Sequence, residues 1–257
     1  MSEPSGTAPT VLDLAGRNDA DHLLDVLYRE ILVPSFRQEE LDPLPVIAAA
    51  FAEDPPLLDI AAARDAAGEI VGAMVCEWSP STGVYLLSYL AARPGLRSRG
   101  VGTALMRHLP VWSRARGAVV TLAEVDDPRC HGDEGLVGEP AARLAFYGRF
   151  GARVLDLPYF QPGLAGGRRA HGMLLLAFDV DPAGLAPGSV PALRGDLLGR
   201  WLREYFAGSE HVPGREEGAG DPDLARLLHQ ASATAGVRLL PLERYTDVTP
   251  DAESGRS

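Results

Sequence analysis

The run Val84–Met106, VYLLSYLAARPGLRSRGVGTALM, constrains the fold more than any other part of the chain. Its first nine residues are apolar on nearly every position, which suits a strand central in its sheet rather than one at an edge. Pro94, three glycines and three arginines then break the run. Gly100 opens a helix that the spacing of Leu105, Leu109 and Trp112 carries to about Arg116. Pro110 is expected to kink or loosen this helix, because its ring meets the carbonyl four residues earlier. Glycine lets a backbone approach a ligand and arginine attracts anions, so the connection reads as a seat for phosphate.

Two common phosphate loops are excluded. All 24 basic residues are arginine, so neither the lysine of a P-loop nor a lysine Schiff base is available. Gly95 and Gly100 have P-loop spacing, but Val101 follows. A dinucleotide fingerprint fails because Leu105 stands where close helix packing requires Gly or Ala. The charge distribution still marks an anion site. The chain has a formal net charge of -11, yet no acidic residue falls between Glu77 and Glu124, where Arg93, Arg97, Arg99, Arg107, Arg114 and Arg116 lie. Glu124, Asp126, Asp127, Asp133, Glu134 and Glu139 follow closely, with Arg129 as the basic residue among them. That sequence of charges suits an anionic ligand and a cationic one, each drawn by local potential. Most of the acidic cluster also fits a solvated loop.

Around this core the chain alternates strands and helices. VLDL (11–14) is a short strand and NDADHLLDVLYREIL a capped amphipathic helix. LDPLPVIAAAFAED is a second helix entered through prolines. LLDIAAARDAAGEIVGAMVCEW is a hairpin that turns at Asp65–Gly68. AVVTLAEV (118–125) is a buried strand, DDPRCHGDEG a polar loop, and EPAARLAFYGRFGA a helix closed by Gly151. RVLDLPYFQPG and HGMLLLAFDV read as two more strands. From Asp181 the composition shifts, and Leu193, Leu197, Leu198, Trp201, Leu202, Tyr205 and Phe206 mark one face of a helix. DPDLARLLHQASATAG is a further helix and VRLLPLERY an extended segment. The last apolar face must bury against the body of the protein or a second copy in a homodimer.

At 257 residues and 46% hydrophobic content the chain can bury a sizeable core. No apolar run has membrane-spanning length and MSEPSGTAPT is no signal peptide, so a cytoplasmic protein without membrane contact is expected. Cys76 and Cys130 are expected to be free thiols. The arginine, alanine, glycine and proline usage reflects GC-rich coding of a bacterial kind. Acidity argues against nucleic acid as a partner.

The order of elements, with Arg97-Ser98-Arg99-Gly100-Val101-Gly102 after the fourth strand and Ala145-Phe146-Tyr147-Gly148-Arg149-Phe150-Gly151 about fifty residues later, resembles the GNAT superfamily of acyl-CoA-dependent N-acyltransferases. The first motif is similar to the family's Arg/Gln-x-x-Gly-x-Gly/Ala element, the second to its Tyr-x-x-Leu/Phe-Gly pattern. The resemblance implies an α/β (α+β) fold with a mixed, mostly antiparallel central sheet flanked by helices. It spans 11–180, after a disordered 1–10, and 181–257 is expected to be a folded, mainly helical C-terminal extension. It also implies acetyl-CoA or another acyl-CoA as co-substrate. The pyrophosphate would sit on the amides from Ser98 through Gly100 and Gly102 to Thr103, beside Arg97 and Arg99.

The mechanism implied is direct attack by a small-molecule amine acceptor on the thioester, without an acyl-enzyme. Backbone groups of Leu90, Ala91 and Ala92 would hold the pantetheine and the oxyanion, and Tyr147, at the cofactor, would protonate the departing thiolate. Glu124 is the first candidate base, with Glu77, Ser88, Tyr89 and His131 as alternatives. Cys130 and His131 beside Asp127 and Asp133 lack a second Cys/His pair, so no metal is expected. Two other readings stay open at this level: an acyl-CoA-binding regulatory module without turnover, and a transferase that draws on a carrier protein or aminoacyl-tRNA.

Overall fold

Asp65 sets the first hairpin. Its Oδ1 accepts from the amides of Ala67 and Glu69 at 2.9 and 3.0 Å, and Gly68 takes the left-handed φ of +85° that the turn needs. The flanking apolar runs become β2 (Leu58–Arg64) and β3 (Ile70–Ser79), antiparallel with Leu58 opposite Glu77. These features come from a computed structural model that describes residues 8–96, 99–132, 139–164, 167–210 and 221–251. Arg97, Ser98, Asp133, Glu134 and the first seven residues of the expected disordered start lie outside the described residues.

The chain divides into two compact units, Met1–Trp78 with Leu86–Gly117 and Ser79–Tyr85 with Ala118–Ser257. Each is mixed α/β, built on a largely antiparallel sheet with helices, as the order of elements implied.

In the first unit the strand order is β1 (Thr10–Asp13), β2, β3, β4 (Val84–Ala92). Alternation puts Leu58, Ile60, Ala62, Ala73, Val75, Tyr89 and Ala91 on one face. They bury there with Leu23, Leu24 and Leu27 of α1 (Ala20–Leu27) and Ile47 of α2 (Leu44–Phe51). The first helix ends earlier than its apolar pattern: Tyr28–Leu32 form one wider π turn that still buries Ile31 and Leu32. Gly72, of opposite parity to Ala73, faces the other side, where α3 (Val101–Arg116) packs. A Cβ at position 72 would stand 2.3 Å from Val101 Cγ1 and 2.9 Å from the Ala91 carbonyl, so only glycine admits the start of α3 at this depth. α3 runs through Pro110 as a continuous helix. The proline lacks a donor there, but burial of Leu105, Leu109 and Trp112 on either side of it holds the segment helical.

In the second unit β5 (Val120–Asp126) pairs with β8 (Ala170–Phe178), which also pairs with β6 (Arg153–Leu155) and β7 (Tyr159–Gln161). The segment read as one strand, RVLDLPYFQPG, is thus two. Pro158 has no amide to donate, and the Asp156 amide turns away to the Arg238 carbonyl at 2.9 Å. α4 (Pro140–Gly148) packs on β5. The chain after Asp181 supplies β9 (Ala192–Leu193), α5 (Gly195–Ser209), α6 (Pro222–Ala231) and β10 (Val237–Pro241). β10 pairs with β6, placing Leu239 opposite Leu155, so the extension contributes strands to the sheet as well as helices.

Leu198, Trp201, Leu202 and Phe206 of α5 are all 2% exposed or less. Deleting 181–257 leaves the β6 edge unpaired and removes the α5 packing face, Trp201 alone being worth about 3–5 kcal/mol by the usual cost of emptying a core position. The fragment 1–180 is expected to aggregate or to melt without a cooperative transition in calorimetry. A soluble, monodisperse 1–180 with a sharp melt would show the extension to be an appendage.

Candidate active site

The segment expected to hold the donor lies at the start of α3. Gly100 caps the helix in the left-handed conformation, φ +79°, and as a glycine brings no side chain to the helix end. Its carbonyl takes the Ala104 amide at 2.9 Å, while the amides of Val101, Gly102 and Thr103 belong to the first turn, which has no intrahelical acceptor for them. Together with the positive end of the helix dipole they form an anion-facing surface. A Cβ on Gly100 would meet nothing within 4 Å, so the space beside it is open. Leu90, Ala91 and Ala92 close β4, where Leu90 and Ala92 are half-buried.

The acid-free interval of sequence is only partly acid-free in space. Arg116 makes a two-pronged pair with Asp59 at 2.9 and 2.8 Å, and Arg93 reaches Glu30 at 2.6 Å. Arg99, Arg107 and Arg114 are exposed. Arg99 is the described arginine beside the helix start.

On the α1/α2 face of the same unit, two carboxyl groups meet. Period-two alternation carries Glu77 to the face of Ala73 and Val75. Asp42 enters just before α2. Tyr89 fixes Asp42, donating from Oη to Oδ2 at 2.9 Å and accepting the Asp42 amide at 3.1 Å. Phe36 meets the Tyr89 ring edge-on at 5.2 Å. Burial, and then the charge of Asp42, push the half-buried Glu77 carboxyl up to about 7. Burial also raises Asp42, against the lowering effect of the Tyr89 hydrogen bond. Asp42 gave no signal in sequence, since an aspartate before proline reads as a helix entry.

Glu124 stands in a different environment. On β5 of the second unit its Oε1 accepts from Tyr159 Oη, and its Oε2 accepts from Tyr205 Oη at 2.9 Å and Gln161 Nε2 at 3.1 Å. Burial and the Glu124 charge push the Tyr159 hydroxyl well above its usual range, so it stays a donor. The neighbouring acids are paired with arginines: Asp126 with Arg143 at 3.1 Å and Asp127 with Arg129 at 2.6 Å. Sequence reasoning placed Tyr205 on an apolar helix face and missed Tyr159 and Gln161.

Tyr147 is 7% exposed on α4, with its ring edge-on to Phe146 and Phe178 at 5.4 and 5.7 Å. Ser88 Oγ is buried without a partner. His131 Nε2 lies 2.8 Å from the His171 carbonyl and is occupied as a donor. Among the described residues no group of three His, Cys, Asp or Glu side chains could hold a metal ion. Nor is any described helix long and apolar enough to cross a membrane.

The family model "Acetyltransferase (GNAT) family" matches residues 26–132, which include α2, β2–β5 and the glycine-capped start of α3. Among curated proteins none matches the chain. Solved structures similar to it include the ribosomal-protein-S18-alanine N-acetyltransferase from Escherichia coli (16% identity, 68% of this chain and 97% of that one, TM-score 0.45). Another is a Bacillus subtilis acetyltransferase in complex with CoA (18%, 67% and 99%, TM-score 0.42). A third is a GNAT family acetyltransferase from Elizabethkingia anophelis with acetyl-CoA bound (15%, 67% and 98%, TM-score 0.43). Residues 26–132 thus carry the pattern of the acetyltransferase (GNAT) family, in agreement with the resemblance read from the order of elements and the two motifs.

Proposed function

We propose that the protein transfers an acetyl group from acetyl-CoA to a small, cationic amine by direct attack in a ternary complex. The observation that carries this reading is the open, glycine-capped start of α3 at Gly100, beside the exposed Arg99. It supports pyrophosphate binding on the amides of Val101, Gly102 and Thr103; Arg97 and Ser98, assigned to the same seat by the resemblance, lie outside the described residues. Leu90, Ala91 and Ala92 would supply backbone partners to the pantetheine and the thioester oxygen.

The acceptor reaches the enzyme as an ammonium and must lose a proton before it can attack. A base poised near neutral pH does this best. Glu77, pushed up to about 7, has that property. Glu124, whose oxygens are engaged by three donors, is better suited to hold a fixed negative charge than to take a proton. The base is therefore assigned to Glu77 in preference to Glu124. Tyr147 is assigned the protonation of the departing thiolate, on the resemblance of its helix to the family's Tyr-x-x-Phe-Gly pattern.

Release of free thiol from acetyl-CoA across a panel of primary amines tests the activity. CoA binding with no turnover on any amine would favour a sensing module instead. Tyr147→Phe keeps the ring packing on Phe178 and removes only the hydroxyl. It is expected to retain acetyl-CoA affinity and lose about 10²-fold in turnover, the lower range for a general acid. Wild-type turnover with chemistry rate-limiting would reduce Tyr147 to a packing residue.

A further inference from the structure

We infer that Tyr89 is a positioning residue of the reaction: its hydroxyl fixes the Asp42 carboxylate as a standing negative charge beside Glu77, the proposed base. The inference deepens the proposed function and rests on that assignment of the base. All three residues lie in the first unit.

Each part of the arrangement has its cause in the chain. β4 alternates so that Tyr89 and Ala91 enter the core under α1 and α2. The Tyr89 ring is buried there, and its packing against Phe36 sets where the hydroxyl points. Asp42 stands between the buried Leu41 and Pro43, the cap of α2. Tyr89 Oη donates to its Oδ2 at 2.9 Å and accepts its amide at 3.1 Å, so side chain and backbone of Asp42 are both tied to a single atom of β4. A carboxylate held in this way does not swing out into water. Glu77 lies on the same face, opposite Leu58 of β2, which brings no charge. α2, with the sequence LPVIAAAF, has no ionisable side chain, and Tyr28 borders the core from the π turn after α1. In the segment before α2, Glu39 is exposed, and Arg37 and Glu40 meet each other at 2.7 Å.

A hydroxyl directs a carboxylate without cancelling its charge, as an arginine in the same place would. Two opposed effects act on Asp42: burial favours its neutral form, and the Tyr89 hydrogen bond favours its charged form. With the hydroxyl in place, Asp42 supplies the negative charge that, after burial, raises Glu77 to about 7. Without it Asp42 can turn outwards or take up a proton, and in either case Glu77 loses its charged neighbour. The burial of Glu77 persists, so only part of the rise from 4.5 is lost. Tyr89 thereby sets the pH range in which the acceptor is deprotonated, acting through Asp42 and Glu77.

Carbon-13 NMR of the glutamate carboxyls in the full-length protein reads Glu77 directly, with the Glu77→Gln spectrum assigning its resonance and no substrate needed. Tyr89→Phe keeps the ring and removes only the hydroxyl. The Glu77 midpoint should fall by about one pH unit from the wild-type value of about 7. The acid limb of kcat/KM, measured with any amine the enzyme accepts, should move down with it. Asp42→Asn leaves Tyr89 intact and should lower the midpoint at least as far. Adding Tyr89→Phe to it should bring no further fall, because the two act through one charge. A lower melting temperature with the midpoint still at about 7 would make Tyr89 a packing residue and overturn the inference. So would an equal further fall in the Asp42→Asn background. Should Tyr89→Phe fail to fold, an unchanged midpoint in Asp42→Asn overturns the inference as well. A midpoint that falls while the acid limb stays in place would instead remove Glu77 as the base, which is a failure of the proposed function.

Discussion

Gly100→Asp is expected to abolish measurable acetyl-CoA binding, a loss of about 10³-fold or more, with the fold preserved. The left-handed backbone at φ +79° costs a non-glycine residue roughly 1–2 kcal/mol. Among the described residues beyond its chain neighbours, no atom lies within 4 Å of the place of a Cβ there. What the aspartate does meet is the ligand: a carboxylate would face the pyrophosphate at the positive end of α3 and reverse the local attraction. Gly100→Ala carries the same backbone strain without the charge and separates the two effects. Isothermal titration with acetyl-CoA should find the alanine variant weakened and the aspartate variant silent. Equal affinity for wild type and Gly100→Asp would remove α3 from the donor site.

Glu77→Gln should lower turnover by about 10³-fold, within the range for loss of a general base. The wild-type kcat/KM should fall about tenfold per pH unit below the Glu77 value of about 7 and level off above it. The glutamine variant should lose that limb. Stability should move the other way. The folded protein holds the Glu77 proton more tightly than the unfolded chain, where the ordinary value is 4.5. The linkage therefore favours the fold at low pH, and this contribution is lost as pH rises from about 4.5 to about 7. At pH 8 the wild type carries a half-buried charge near Asp42 that glutamine lacks. Glu77→Gln should then be more stable there by about 1–2 kcal/mol, a figure reduced for the partial exposure of the group. At pH 4 the difference should vanish. A variant that is less active and less stable at pH 8 would show Glu77 to be structural.

What could be read from the sequence was what nearby residues decide. The turn at Asp65–Gly68, the glycine cap at 100 and the apolar spacing of α3 are local, and each forms where its residues require. The glycine-capped helix start proposed for the donor was legible for that reason. The carboxylate environments were not, because they depend on partners distant in the chain. Asp42 meets Tyr89 across 47 positions, and Glu124 meets Tyr205 across 81. Tyr205 also sits in an amphipathic pattern that makes a hydroxyl indistinguishable from core. Arg93 and Arg116 stood in an interval cleared of acids, yet found Glu30 and Asp59 from other elements. The break between β6 and β7 was missed, because one of its causes, the Asp156 amide bound to Arg238, lies in a strand that comes much later.

The contact between Gly72 and Val101 gives β3 the function of a ruler. One end of that strand seats the start of α3; Glu77 lies five residues further along the same strand. The separation between the proposed anion seat and the proposed proton acceptor, about 17 Å along the strand at the usual rise, is therefore set by covalent geometry and not by a loop. Loops elsewhere can lengthen, shorten or fluctuate without changing it. On the proposed roles, the span that a CoA thioester must bridge stays constant while those loops vary.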